Sequence, residues 1–239
     1  MNNRQENDFD SFAEDYRNIL QGSIKNLSEY DVEHFAEYKI KALKEKLNFS
    51  PKNILDFGCG DGISCELFRE HFPDATITGV DISSESIKIA KDREIKNSSF
   101  EIYNGDELAF KDNSFDLIFA ACVFHHIQDS DRKKCASEIF RVLKEEGKVF
   151  VFEHNPINPL TRKVVKDCAF DKDAKLIFPK DLSRIFQESG FKKISTNYTL
   201  FVPRYKFFNK LFALEKYLNK LPIGAQYYLE GSKIKNTRI

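Results

Sequence analysis

The chain opens with two helical patterns. Phe9, Phe12, Ala13, Tyr16, Ile19 and Leu20 recur at helical spacing, and so do Val32, Ala36, Ile40, Leu43 and Leu47. Ser50 and Pro51 end the second pattern. From Asn53 onward, short apolar runs alternate with amphipathic ones. Strands are predicted over 54–57, 76–80, 100–103, 115–120 and 148–153. Helices are predicted over 63–72, 84–92 and 130–144. Ser83 or Ser84 caps the second of these, and Gly147 is expected to close the third in a left-handed conformation. This alternation predicts an α/β fold with a mostly parallel sheet and helices on both faces. Residues 155–178 show no clear period. After them come a helix over 181–188 closed by Gly190, strands over 191–202 and 225–233, and a helical stretch over 205–221 between those strands.

Composition narrows the class. The chain has 239 residues, 41% hydrophobic and 31% charged, which suits a soluble globular domain. Its 37 basic and 37 acidic residues cancel, so no overall charge draws it to nucleic acid or anionic lipid. The polar, acidic start predicts no signal peptide, and no run nears the ~20 apolar residues of a membrane span. The five cysteines form no Cys-x-x-Cys pair, so neither a disulfide framework nor a zinc site is indicated. A cytoplasmic location is the expectation.

The candidate chemistry begins at 54–62, which reads ILDFGCGDG. Gly58, Gly60 and Gly62 fall between a strand and a helix, where open parallel sheets bind ligands. Bare backbone there lets a ligand approach closely, near the positive end of the following helix. Asp81 ends the next strand and is placed to accept from both hydroxyls of a ribose. Together these point to a nucleoside-containing cofactor, against the plainer alternative of a tight turn with no ligand. The glycine spacing is not that of the dinucleotide fingerprint.

The stretch Asp56-x-Gly58-x-Gly60-x-Gly62 resembles the first motif of the class I S-adenosylmethionine-dependent methyltransferases. Further segments match that family in order: GVDIS (79–83), NGDELAF (104–110), SFDLIFAACVFHHI (114–127) and VLKEEGKVFVFE (142–153). Ala109, Glu145 and Glu146 depart from its usual proline and glycine. The resemblance implies a Rossmann-like, seven-stranded, doubly wound sheet, mostly parallel with an antiparallel last strand. It implies an N-terminal helical lid over 1–50, a methyltransferase domain over 51–239 and a helical insertion over 204–222. S-adenosylmethionine is the implied cofactor and S-adenosylhomocysteine its product. Gly58, Cys59 and Gly60 would line its methionine portion, and Asp56 would order the turn or reach its amino group. Asp81 would hold the ribose and Ile82 pack on the adenine. Asp106 and the Glu107 amide would meet the adenine edge, and the Ala121 carbonyl the ammonium group.

Acceptor residues are less defined. Successive side chains at a strand end are expected to diverge, so His125 and His126 should not both face the pocket. Resemblance to related enzymes implies that His126 is the one that faces the acceptor, as a catalytic base. His154 and Asn155 sit in EHNPINPLTR (153–162), a segment that recurs in a bacterial branch of the family. Tyr16 lies in DFDSFAEDY, which resembles the lid helix of small-molecule methyltransferases. A small-molecule, lipid or glycan-precursor acceptor follows, methylated on oxygen or nitrogen. No metal and no nucleic-acid partner is expected. The alternatives are a nicotinamide-dependent oxidoreductase or a cofactor-binding protein without turnover. The aromatic and lysine faces of 205–221 suit a peripheral membrane contact, a pocket cover or a dimer contact, in a monomer or homodimer.

Overall fold

The apolar run before the glycines forms strand β1 (Asn53–Phe57), an interior strand of a seven-stranded sheet. The structure is a computed structural model. It describes residues 31–201 and 215–235, together with Asp10, Asn18, Ile19, Gln21, Gly22 and Ser28. β1 pairs in parallel with β2 (Thr76–Asp81) on one side and β4 (Phe115–Ala121) on the other. β3 (Ser98–Ile102) extends the sheet beyond β2, and β5 (Leu143–His154) beyond β4. β7 (Gln226–Ser232) lies antiparallel between β5 and β6 (Lys192–Thr199). The order β3-β2-β1-β4-β5-β7-β6 is the expected Rossmann-like, doubly wound sheet with its last strand reversed.

Neighbouring residues of β1 serve opposite faces. Ile54 joins a core with α1 (Val32–Lys44), α2 (Ile63–His71) and α3 (Ser84–Asp92), through Ile40, Phe68 and Ile87. Leu55 joins a second core with α4 (Arg132–Val142) and α6 (Pro179–Glu188), through Ile139 and Phe186. Burial on both faces explains why the strands read as continuous apolar runs. The order reverses between β1 and β4, so the carboxyl ends of those two strands form the crevice where ligands bind in such sheets.

Three local differences stand out. α4 ends at Val142 and runs straight into β5, and the left-handed residue is Glu146 (φ 65°), not Gly147. Gly147 is required for close approach instead. A Cβ there would lie 2.8 Å from the Lys144 carbonyl oxygen and 3.0 Å from that of Asp116, inside the irregular register between β4 and β5. The unpatterned stretch contains α5 (Pro159–Asp167), started by the Asn158 side chain accepting from the Thr161 amide, and a 3₁₀ turn over Ala169–Asp171. Of the expected insertion, a short helix α7 (Glu215–Leu218) is described, and 202–214 lie outside the described residues. Within the expected lid, 1–9, 11–17, 20, 23–27 and 29–30, Tyr16 included, also lie outside them. Asp10 is described. Its carboxylate accepts from the hydroxyls of Ser83 (2.6 Å) and Ser84 (3.2 Å) and from the Glu85 amide (3.2 Å), at the start of α3.

Candidate active site

At the crevice, residues 58–62 turn from β1 into α2. Gly58 (φ +77°) and Gly60 (φ +51°) hold left-handed backbone that side chains disfavour. A Cβ on Gly58 would also meet Val123 Cγ2 at 2.4 Å. Nothing lies within 4 Å of a Cβ on Gly60, because that side faces a cavity. Asp81 fastens the turn: the Gly60 amide donates to Oδ2 at 2.9 Å and the Ser83 amide to Oδ1 at 3.0 Å. Burial raises the Asp81 pKa, opposed by the amides of Ser83, Gly60 and Ile82.

Two cavities flank this turn. The first, about 90 Å³, is lined by Phe57, Val80, Ile82 and Tyr103 with Asp81 at its edge. Apolar walls beside a carboxylate suit a nucleoside. The second, about 290 Å³, runs past Asp56, Cys59, Lys39 and His154. The cavities share Gly58, Gly60, Ala121, Cys122, His126 and Phe170. Asp56 is buried, accepts from the Cys65 thiol at 3.4 Å, and is pushed by burial up to about 7. A cationic ammonium group in the second cavity would relieve that burial. Burial likewise pushes the Cys59 thiol well above its ordinary range, so it packs rather than reacts.

The expected adenine contacts are placed differently. Asp106 is exposed and paired with Lys134 at 2.7 Å, which lowers its pKa. The amides of Asp106 and Glu107 are both taken by the Asn104 side chain, at 2.9 and 3.3 Å. Neither residue lines either of these two cavities; Tyr103, just before the segment, lines the first instead.

The acceptor side is built from strand ends. Beyond β4 the chain passes through Cys122 in a left-handed conformation (φ 60°) and a tight turn over 124–126. Buried Glu153, at the end of β5, anchors that turn. Its Oε1 accepts from the amides of Val123 (3.1 Å) and Phe124 (2.7 Å), and its Oε2 lies 2.6 Å from His125 Nδ1. His125 Nε2 lies 3.3 Å from Asp171 Oδ1, and His126 Nε2 lies 3.3 Å from the same oxygen. The two ring centroids therefore lie 4.1 Å apart, the planes tilted by 46°, and both rings line the second cavity. The expectation that successive side chains diverge fails because the turn is too tight to separate them. Arg132 locks it from behind, donating to the carbonyls of Phe124, Ile127 and Lys175.

Burial opposes charge on His125, but Glu153 and Asp171 outweigh it and raise its pKa to about 10. Burial favours protonation of both carboxylates, and His125 reverses this and holds them low. Burial, then the charge on His125, lowers both His126 and His154 to about 4. Two neutral imidazoles thus face the cavity beside a charged, buried triad.

Asn155 lines neither cavity. It is fully buried, its amide donates to the carbonyls of Pro222 (3.1 Å) and Gly224 (2.7 Å), and its Oδ1 accepts from the Ile157 amide (3.1 Å). Asp171 was not foreseen, since it sits in the stretch without a period. Glu153 and His125 were adjacent to predicted residues, and their pairing across two strand ends leaves no mark in the linear order.

Residues 55–151 match the model of a family described as a methyltransferase domain. A demethylmenaquinone methyltransferase of Thermotoga maritima is 36% identical over 112 residues, 47% of this chain and 48% of that enzyme. The chain thus aligns with about half the length of that relative. An uncharacterised protein of Methanocaldococcus jannaschii is 31% identical over 199 residues, 82% of this chain and 86% of that protein. Among solved structures, an S-adenosylmethionine-dependent methyltransferase of Thermotoga maritima shares the fold with a TM-score of 0.68 at 20% identity, covering 95% of this chain and 99% of that one. Phosphoethanolamine N-methyltransferase 2 of Haemonchus contortus, solved with S-adenosylmethionine, gives a TM-score of 0.60 at 19% identity, covering 83% of this chain and 53% of that one. The nicotinamide alternative falls with these matches. The left-handed glycines, the Asp81 carboxylate beside an apolar slot and these relatives agree: the chain belongs to the class I S-adenosylmethionine-dependent methyltransferases.

Proposed function

We propose that the chain methylates an oxygen or nitrogen of a small molecule, lipids and glycan precursors included, held in the second cavity. One observation carries this reading: His126 lies on the wall shared by both cavities, where donor and acceptor would meet. The rest of the second cavity suits an acceptor with an apolar body. Phe35, Leu160, Val164 and Phe201 give it apolar walls, while Lys39, His154 and Gln226 give polar points.

Bound S-adenosylmethionine supplies a methyl group already activated by its sulfonium charge. The chain must therefore align the acceptor, exclude water and, for a protonated acceptor, remove a proton. In this reading Asp81 would take the ribose hydroxyls, Asp56 the ammonium group, and the bare backbone of Gly58 and Gly60 the chain between. His126 takes the proton at the seam, and His154 is the second imidazole within the acceptor cavity.

Incubation with methyl-labelled S-adenosylmethionine and a fractionated cell extract tests this. Label is expected in the small-molecule or lipid fraction. Label confined to protein or nucleic acid would overturn the reading.

A further inference from the structure

Proton transfer to a single imidazole does not require the buried arrangement around His125. Two carboxylates and three imidazoles, drawn from β4–α4, β5 and the 3₁₀ turn, converge on the floor of the second cavity. One nitrogen each from His125 and His154 and one carboxylate oxygen from Asp171 lie within 4.8 Å of one another. The side chains of His125 and Glu153 are fully buried, and that of Asp171 is 7% exposed. The His154 ring lines the cavity and has no hydrogen-bond partner among the described residues.

We infer that His125, His154 and Asp171 form a binding site for one divalent transition-metal ion, with Glu153 supporting His125 from behind. Four features fit that ion. First, two imidazoles and one carboxylate suit zinc, iron or cobalt, whereas calcium and magnesium prefer oxygen alone. Second, a metal-bound imidazole ordinarily gives its other N–H to a carboxylate. The Glu153–His125 Nδ1 contact at 2.6 Å supplies that, leaving Nε2 directed at Asp171. Third, bonds of about 2.1 Å separate ligand atoms by roughly 3–4 Å, so closing the site asks for shifts under about 1 Å. Fourth, three protein ligands leave an open position, and the cavity lies on that side. The missing cysteine pairs were no guide here, because an imidazole–carboxylate site assembled from three separate segments has no linear spacing.

The inference rests on the proposed reading only in calling this cavity the acceptor's. The acceptor class it adds is a molecule with a ligating oxygen or nitrogen near the methylated atom.

The test uses the full chain, stripped with chelator and titrated with cobalt(II) and zinc(II). One ion per chain is expected, with cobalt d–d absorption showing nitrogen and oxygen ligands. His154→Asn, which faces the cavity and spares the buried triad, is expected to weaken binding at least tenfold. Glu153→Gln is expected to weaken it about 10–100-fold. Failure of the wild type to bind an ion stoichiometrically would overturn the site, as would unchanged binding in His154→Asn with its melting temperature preserved. S-adenosylhomocysteine affinity, measured on the metal-free chain, separates the two readings. Cofactor binding without metal binding removes the metal site alone. Metal binding without cofactor binding keeps the site and counts against the donor reading.

Discussion

At the scale of single residues, the donor half depends on two acids in opposite circumstances. Asp81 spends one side of each oxygen on the backbone of the turn, through the Gly60 and Ser83 amides, and lines the first cavity with the rest. Asp81→Ala should therefore weaken S-adenosylhomocysteine binding by about 1–3 kcal/mol, since the ribose hydroxyls lose their acceptor. Calorimetry giving an unchanged affinity would place the ribose elsewhere. Asp56 is instead poised by burial, which lifts its pKa from 3.8 to about 7. Between those values the folded chain keeps a proton that the unfolded chain releases. This residue's contribution to stability is therefore present at acid pH and is lost as pH rises through that window. Asp56→Asn should raise the melting temperature relative to wild type more at pH 8 than at pH 5. A difference independent of pH would contradict the assignment.

At the scale of elements, loops rather than strands decide the acceptor side, and one residue clamps the longest of them. Asn155 ties the exit of β5 to the segment before β7 through two hydrogen bonds, to the carbonyls of Pro222 and Gly224, and holds the Ile157 amide with a third. Asn155→Ala strands two carbonyls and an amide, and should cost about 2–4 kcal/mol by denaturant unfolding. Its effect on cofactor affinity should be small, because it lines neither cavity; a large loss of affinity with normal stability would return it to the site. This scale also explains what the sequence made legible. The strands read clearly because Ile54 and Leu55 are each buried on their own face, and the glycine turn reads clearly because its backbone demands are local. Asp106 was foreseen by motif alone, yet Lys134 holds it at the surface. Gly147 was foreseen as a cap, yet packing against Lys144 and Asp116 is what requires it. Glu153, His125 and Asp171 could not be joined in advance, since two strand ends and a 3₁₀ turn meet only in the folded chain.

At the scale of the whole molecule, the reversal of strand order between β1 and β4 does the positioning. It places the glycine turn and the histidine turn at neighbouring strand ends, so one crevice divides into a nucleoside slot and a larger cavity with a common wall. Asp10 extends the arrangement toward the chain's start by capping α3 beside the nucleoside slot. The division assigns the donor's nucleoside and the acceptor to different sides of His126. The most direct measurement is a paired one on His126→Ala: the rate of S-adenosylhomocysteine release with an acceptor-containing extract, and the calorimetric affinity for S-adenosylhomocysteine. The account predicts a rate lower by about 10²-fold or more with affinity nearly unchanged. Lost affinity with an unchanged rate per bound cofactor would contradict it, placing His126 in the donor site and leaving the second cavity without its base.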